Sequence, residues 1–240
     1  MIRQARPPHP GRRRREPASG RAPQLPLPLP PREEMGRDSF VTGASNAEAL
    51  AAIEGWRGWP DRRLALAGPP ASGKTHLAHL WAGLSGARIL PAAALGGRNP
   101  QDLAATPLVV EDADRALPAA AERTFLHLIN VMRAEGQWLM ITGRAAPARW
   151  PVRLPDLASR LTAFAVARIA EPDDALLSAL LQRAFAARGM KADERLLGYL
   201  LRRMDRTAAA AQAIVARLDA AALAERAEPT VQFAGRVLGW

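Results

Sequence analysis

Cysteine is absent from this 240-residue chain. That excludes a disulfide framework and any thiolate metal site, and it fits a reducing compartment. The four histidines offer no ligand spacing beyond His76 and His79, a pair that suits ordinary helix residues. No apolar run approaches the ~18 residues that span a bilayer, and the basic N-terminus has no apolar segment behind it. No membrane contact is expected, and the protein is read as cytoplasmic. Aromatic residues make up only 5% of the chain, which leaves few rings for stacking nucleic acid bases. Lysine is nearly missing: Lys74 and Lys191 stand against 31 arginines, so the position of Lys74 is informative.

Charge and proline are abundant but unevenly placed. Residues 1–37 carry nine arginines and three glutamates, a net +6 out of the chain's +10. This stretch is Pro-, Arg- and Gly-rich without hydrophobic periodicity, and it reads as a disordered tail. Its Arg12–Arg15 run is either a solvated segment or a contact for nucleic acid phosphates or an anionic membrane surface. From Asp38 short apolar runs alternate with helical patterns. Strands are predicted at 64–67, 87–90, 108–111, 138–142 and 164–169, with helices at 47–56, 73–84 and 119–134 between them. Five strands separated by helices predict an α/β domain over 38–170, built on a parallel sheet covered on both faces. After Ile169 only helical patterns remain, at about 171–189, 192–204 and 207–225 with a short one from Thr230, so 171–240 reads as a small all-helical domain.

The strongest chemical signal is Gly68-Pro69-Pro70-Ala71-Ser72-Gly73-Lys74-Thr75, which satisfies the phosphate-loop pattern GxxxxGK[ST] between a predicted strand and a helix. Such a loop surrounds phosphates with backbone N–H groups of Gly68, Ala71, Ser72 and Gly73, reaches the outer phosphates with Lys74, and offers the Thr75 hydroxyl to Mg²⁺. Leu108-Val109-Val110-Glu111-Asp112 supplies strand-end carboxylates of the kind that hold Mg²⁺ and polarise water. Thr142 ends a strand at the sheet's carboxyl edge, where its hydroxyl either positions water near a γ-phosphate or merely closes a turn. Arg160 and Arg206 are each either surface ion-pairing residues or guanidiniums for a transferring phosphoryl group.

Taken in order, these segments resemble the AAA+ module of the bacterial replication initiator DnaA, from about Asp38 onward. Asp38-Ser39-Phe40-Val41-Thr42-Gly43-Ala44-Ser45-Asn46 looks like that family's nucleotide-base segment, and Gly73-Lys74-Thr75-His76-Leu77 matches its GKTHL. The resemblance implies base contacts from Phe40, Val41 and Asn46, a sensor 1 role for Thr142, an arginine finger at Arg160 and a sensor 2 arginine at Arg206. Asp112 then acts with Thr142 and Arg160 in hydrolysis, and Thr75, Glu111 and Asp112 hold Mg²⁺. Two departures stand out: the family usually has two aspartates at Glu111-Asp112, and Gly at Ala71.

The predicted helices after 171 leave no place for the initiator's helix-turn-helix domain. The shorter Hda-type relatives carry a clamp-binding peptide ahead of such a module, and Gln24-Leu25-Pro26-Leu27-Pro28-Leu29-Pro30 resembles that peptide. Judged locally, its prolines favour an extended conformation that serves as a linker or presents leucines to a partner's pocket. The resemblance implies a regulator bound to ADP or ATP with Mg²⁺. Gln24, Leu25, Leu27 and Leu29 would tether it to the DNA polymerase III sliding clamp (beta subunit), and it would act on DnaA. DNA contact is expected to be weak or indirect, and a homodimer stays open. The rivals are a DnaA-like DNA-remodelling ATPase or helicase-loading factor and, from another class, a small P-loop kinase.

Overall fold

The computed structural model describes residues 35–115 and 119–240. The tail up to residue 34, with the peptide Gln24 to Leu29, lies outside the described residues. Arg37, grouped with the tail by composition, belongs to a 3₁₀ turn, Arg37–Ser39, and pairs with Glu54 at 2.6 Å.

Five parallel strands form one sheet: β1 (Arg63–Ala67), β2 (Arg88–Pro91), β3 (Leu108–Glu111), β4 (Leu139–Gly143) and β5 (Ala165–Arg168), in the order β2-β3-β4-β1-β5. Between them run α1 (Ala47–Glu54, before β1), α2 (Lys74–Ser85), α3 (Pro100–Leu103), α4 (Ala119–Ala134) and α5 (Pro155–Thr162). The class is the one the sequence predicts: a five-stranded parallel α/β sheet with helices.

Alternation along each strand decides which residue meets which layer. Leu64, Leu66, Val109 and Met140 point to one face, where they pack with α1 and α2 through Ile53, Leu77 and Trp81. Ala65, Leu108, Val110, Leu139 and Ile141 point to the other, against Phe125, Leu128 and Met132 of α4 and Leu157 and Leu161 of α5. All five β1 residues are buried, as a strand covered on both faces requires. Each fully buried leucine contributes roughly 1.5–3 kcal/mol.

The helix predicted over 47–56 stops at Glu54. Gly55 caps it, and Trp56–Gly58 turns into 3₁₀ geometry. The cause is tertiary: Trp56, Trp59, Trp81 and Trp138 pack together, Trp56 edge to face on Trp138 with centroids 4.8 Å apart and Trp59 tilted by 33° against Trp81 at 4.9 Å. The chain must turn to bring the first two rings there. The short α3 was not anticipated from the sequence; Asn99 caps it by accepting the Gln101 N–H.

Beyond β5 come α6 (Asp174–Ala186), α7 (Glu194–Leu201), α8 (Ala208–Glu225) and α9 (Val231–Leu238), packed around Leu181, Phe185, Leu197, Leu200, Val215 and Phe233. Each start is fixed by a side-chain cap. Asp173, Asp193, Thr207 and Thr230 accept the N–H three residues on. No helix among the described residues is long and apolar enough to cross a membrane.

Candidate nucleotide-binding site

β1 ends at Ala67 between β4 and β5; the crossover from β1 runs to one side, to β2, and that from β4 to the other, to β5, so the loop after β1 emerges at the sheet's switch point. Gly68 leaves no room for a side chain: a Cβ there would lie 2.8 Å from the Ile169 carbonyl oxygen and 2.9 Å from Ser72 Oγ. Gly73 takes φ 100° to start α2, a conformation open to glycine. Ala71 sits at φ 55°, also left-handed, where a Cβ is strained. The structure thus gives a physical reason for the glycine usual at this position in the resembled family.

Lys74 is the buried first residue of α2. Its Nζ donates to the carbonyls of Gly68 at 2.8 Å and Pro69 at 2.7 Å, so its ammonium is held inside the loop. Burial pushes its pKa below the ordinary 10.5. Asp112, Asp114 and Glu111 oppose that shift, and Arg144 adds to it. The acidic turn after β3 therefore faces the lysine of the loop. Thr75, one residue further along α2, is exposed.

Thr142, 1% exposed, joins that turn to β4. Its hydroxyl accepts the Asp112 N–H at 3.0 Å, and its carbonyl accepts the Ala113 N–H at 2.9 Å. Asp112 is held at φ 52°. Asp114 and Arg144, which sequence reasoning missed, lock the same turn: Asp114 Oδ2 accepts the Arg144 N–H at 2.7 Å. A third acid so soon after Glu111 and a cation two residues after Thr142 were the available signals.

A second wall comes from residues 40–46. Asn46, buried, accepts the Gly43 N–H at 2.8 Å and donates to the Val41 carbonyl at 3.0 Å, closing a tight loop. Phe40 packs edge-on to His76 at 5.1 Å and lies against Gly73. The Ser45 carbonyl accepts the Ala170 N–H at 2.9 Å, and Gly43 abuts Leu176 of α6. Arg206 lies two residues before α8 rather than at its first position, and it donates to Asp174 at 2.7 Å and to the Pro172 carbonyl at 3.0 Å. Phe40, Val41, Asn46, the phosphate loop and the acidic turn thus gather around the head of α2, while Arg206 is tied to the head of α6.

Three buried oxygens in these segments, Ser45 Oγ, Ser72 Oγ and Asp114 Oδ1, have no hydrogen-bond partner among the described residues. Such atoms, a buried lysine and carboxylates facing it fit a phosphate ligand with a divalent cation. Mg²⁺ usually takes one or two protein oxygens plus phosphate oxygens. Thr75, Glu111 and Asp112 are donors of that kind. Among the described residues no cluster of three or more His, Cys, Asp or Glu could hold a metal without such a ligand.

Arg160 is elsewhere. It is an exposed residue flanking the buried Leu157 and Leu161 face of α5, and is close enough to Arg63 to depress that residue's pKa. Arg63 opens β1, whereas the phosphate loop leaves its far end. Four residue steps of strand separate the two ends by about 13 Å. Glu122, buried in α4, fixes the approach to α5: its carboxylate accepts the N–H groups of Arg153 at 3.1 Å and Leu154 at 2.9 Å.

A parallel sheet in the order β2-β3-β4-β1-β5, with the loop 68–75 after β1 and a helical bundle following β5, gives the chain a DnaA-like AAA+ fold. No family model matches it. It superimposes on domain III of the replication initiation protein DnaA of Thermotoga maritima with TM-score 0.75 and 18% identity, covering 89% of this chain and 98% of that one. AMPPCP-bound DnaA of Aquifex aeolicus gives TM-score 0.65 and 15% identity over 78% of this chain and 64% of that one. The Thermotoga maritima Holliday junction branch migration motor RuvB gives 0.65 and 18% over 86% and 72%.

Proposed function

We propose that this protein is an Hda-type negative regulator of replication initiation. It holds ADP or ATP with Mg²⁺ in the loop Gly68 to Thr75, is tethered to the sliding clamp through Gln24, Leu25, Leu27 and Leu29, and stimulates hydrolysis of ATP bound to DnaA. The observation that carries the reading is the position of Arg160, at the opposite end of β1 from the chain's own phosphate loop. A guanidinium there serves a nucleotide on a neighbouring molecule. The DnaA-like fold supports a neighbour of the same architecture.

Within the chain each group has a distinct task. Lys74 and the backbone of residues 68–73 bind phosphate, with Phe40, Val41 and Asn46 beside the loop for the base. Thr75, Glu111 and Asp112 hold the cation, which supplies charge neutralisation at the phosphates. Thr142 keeps Asp112 in place. Glu122 and Leu157 orient α5, so that Arg160 is presented outward.

The test is Arg160→Ala in a reconstituted system of clamp, DnaA and ATP. The variant should bind nucleotide and clamp normally while stimulation of DnaA-bound ATP hydrolysis falls by roughly 10³–10⁵-fold, the usual effect of an arginine supplied in trans. Full stimulation by the variant would overturn the reading.

A further inference from the structure

Aromatic residues are scarce in this sequence, yet the fold brings its only tyrosine, Tyr199, together with Trp240 on the outside of the helical bundle. The two ring centroids are 6.2 Å apart, inclined at 45°, and Trp240 is 42% exposed. The arrangement is built rather than incidental. Gly235 occupies the interior of α9, where glycine costs about 0.5–1 kcal/mol relative to alanine. A Cβ there would stand 2.9 Å from the Tyr199 hydroxyl oxygen, so the tyrosine's seat depends on that glycine.

Arginines frame the rings. Arg203 stacks its guanidinium 4.1 Å from the Tyr199 centroid. Arg202 folds back along Gly198, where an added Cβ would stand 3.3 Å from its Nη1. Arg195, one turn earlier on α7, shares the face through its i, i+4 relation to Tyr199. All three are exposed, and none belongs to the ion pairs of the described residues. The nearby acids are Glu194, beside Arg195, Asp193, which is engaged in capping α7, and Asp205, two residues beyond Arg203.

We propose that this face of α7 and α9 binds single-stranded nucleic acid, with bases stacking on the exposed Trp240 ring and phosphates paired to Arg195, Arg202 and Arg203. Planar guanidiniums suit phosphate oxygens, and an open indole face accepts any base. Bases inside a duplex are already stacked, so a duplex engages the arginines alone. The inference uses neither the nucleotide site nor Arg160, and it stands apart from the proposed role in initiation control.

The test titrates labelled oligo-dT, oligo-U and a duplex of equal length with the full chain across a salt series, so that charge contacts made by other arginines are progressively screened. Wild type should prefer the single strands, the tighter of the two naming the natural sugar. Trp240→Ala should weaken that binding by roughly 5- to 100-fold, while Trp240→Phe retains most of it. Arg202→Ala with Arg203→Ala should lower the salt slope by about 1.4, at roughly 0.7 per phosphate contact. Equal affinity of wild type and Trp240→Ala, with unchanged unfolding midpoints, overturns the proposal. Displacement by an acidic peptide that leaves the Trp240 dependence absent overturns it as well, in favour of a protein partner.

Discussion

The buried hydroxyl of Thr142 accepts the backbone N–H of Asp112 at 3.0 Å, so the end of β4 sets the position of the acidic turn after β3. That turn holds Asp112 at φ 52°, a conformation that needs support. Thr142→Val preserves shape and removes the acceptor. The expected loss is about 1–3 kcal/mol of stability, the cost of an unpaired buried donor. Nucleotide affinity in Mg²⁺ should fall more than affinity in EDTA, while Thr142→Ser retains both. Denaturant unfolding and nucleotide titration check the pair, and equal losses with and without Mg²⁺ would refute the link to the acidic turn.

Ala71 occupies a left-handed position that costs an L-residue roughly 1–2 kcal/mol. Glycine removes that strain and returns part of the gain as extra unfolded-state entropy. Ala71→Gly should therefore stabilise the protein by up to about 1 kcal/mol without loss of nucleotide binding, read as a higher unfolding midpoint in the absence of nucleotide. A lowered midpoint would show that the loop gains more from the methyl group than the backbone loses.

Burial depresses the Lys74 pKa from 10.5, so its charged form is disfavoured in the folded state. Between the folded and unfolded pKa values the unfolded chain binds more protons, and stability rises with pH. The penalty is fully present below the folded pKa and is relieved as pH climbs towards 10.5. Lys74→Met should flatten this rise in nucleotide-free protein. Unfolding curves for both proteins over the alkaline range test it, and parallel pH profiles would contradict it.

Glu122 holds α5 by its carboxylate, which accepts the Arg153 and Leu154 N–H groups. Glu122→Ala leaves two amides unpaired and should cost about 2–4 kcal/mol. Glu122→Gln, which keeps one oxygen, should cost less. If the carboxylate also positions Arg160, stimulation of the partner's hydrolysis should fall in Glu122→Gln at temperatures where the variant is fully folded, with nucleotide affinity unchanged. Undiminished stimulation would confine Glu122 to a structural role.

Arg63 is buried at 4% exposure with Nη1 unpaired, one 3.3 Å bond to the Ile129 carbonyl and, among the described residues, no carboxylate within ion-pair distance. Burial lowers its pKa, and Asp61 only partly offsets this. Arg63→Met should raise the unfolding free energy by about 1–3 kcal/mol, because a buried charge is exchanged for packed apolar volume. A destabilised variant would mean that the guanidinium's contacts with Phe164 and Ile129 outweigh its desolvation.

Much of this molecule is legible along the chain. The short apolar runs Leu64 to Ala67 and Leu108 to Val110, the acids that cap α6 and α7, and GxxxxGK[ST] encode strand, helix start and phosphate loop within a few residues, because backbone geometry and capping are local. The sequence by itself therefore determined a parallel α/β module carrying a phosphate loop and a helical appendage. Tertiary structure decided the rest. Only packing shows that Thr142 supports Asp112, that Asp114 and Arg144 join the same turn, and that Glu122 reaches 31 residues along the chain to Arg153. Only the direction of β1 places Arg160 and Lys74 at opposite ends of one strand. Tyr199 and Trp240, 41 residues apart, leave no periodic trace in the sequence, and they meet because α7 and α9 share a core.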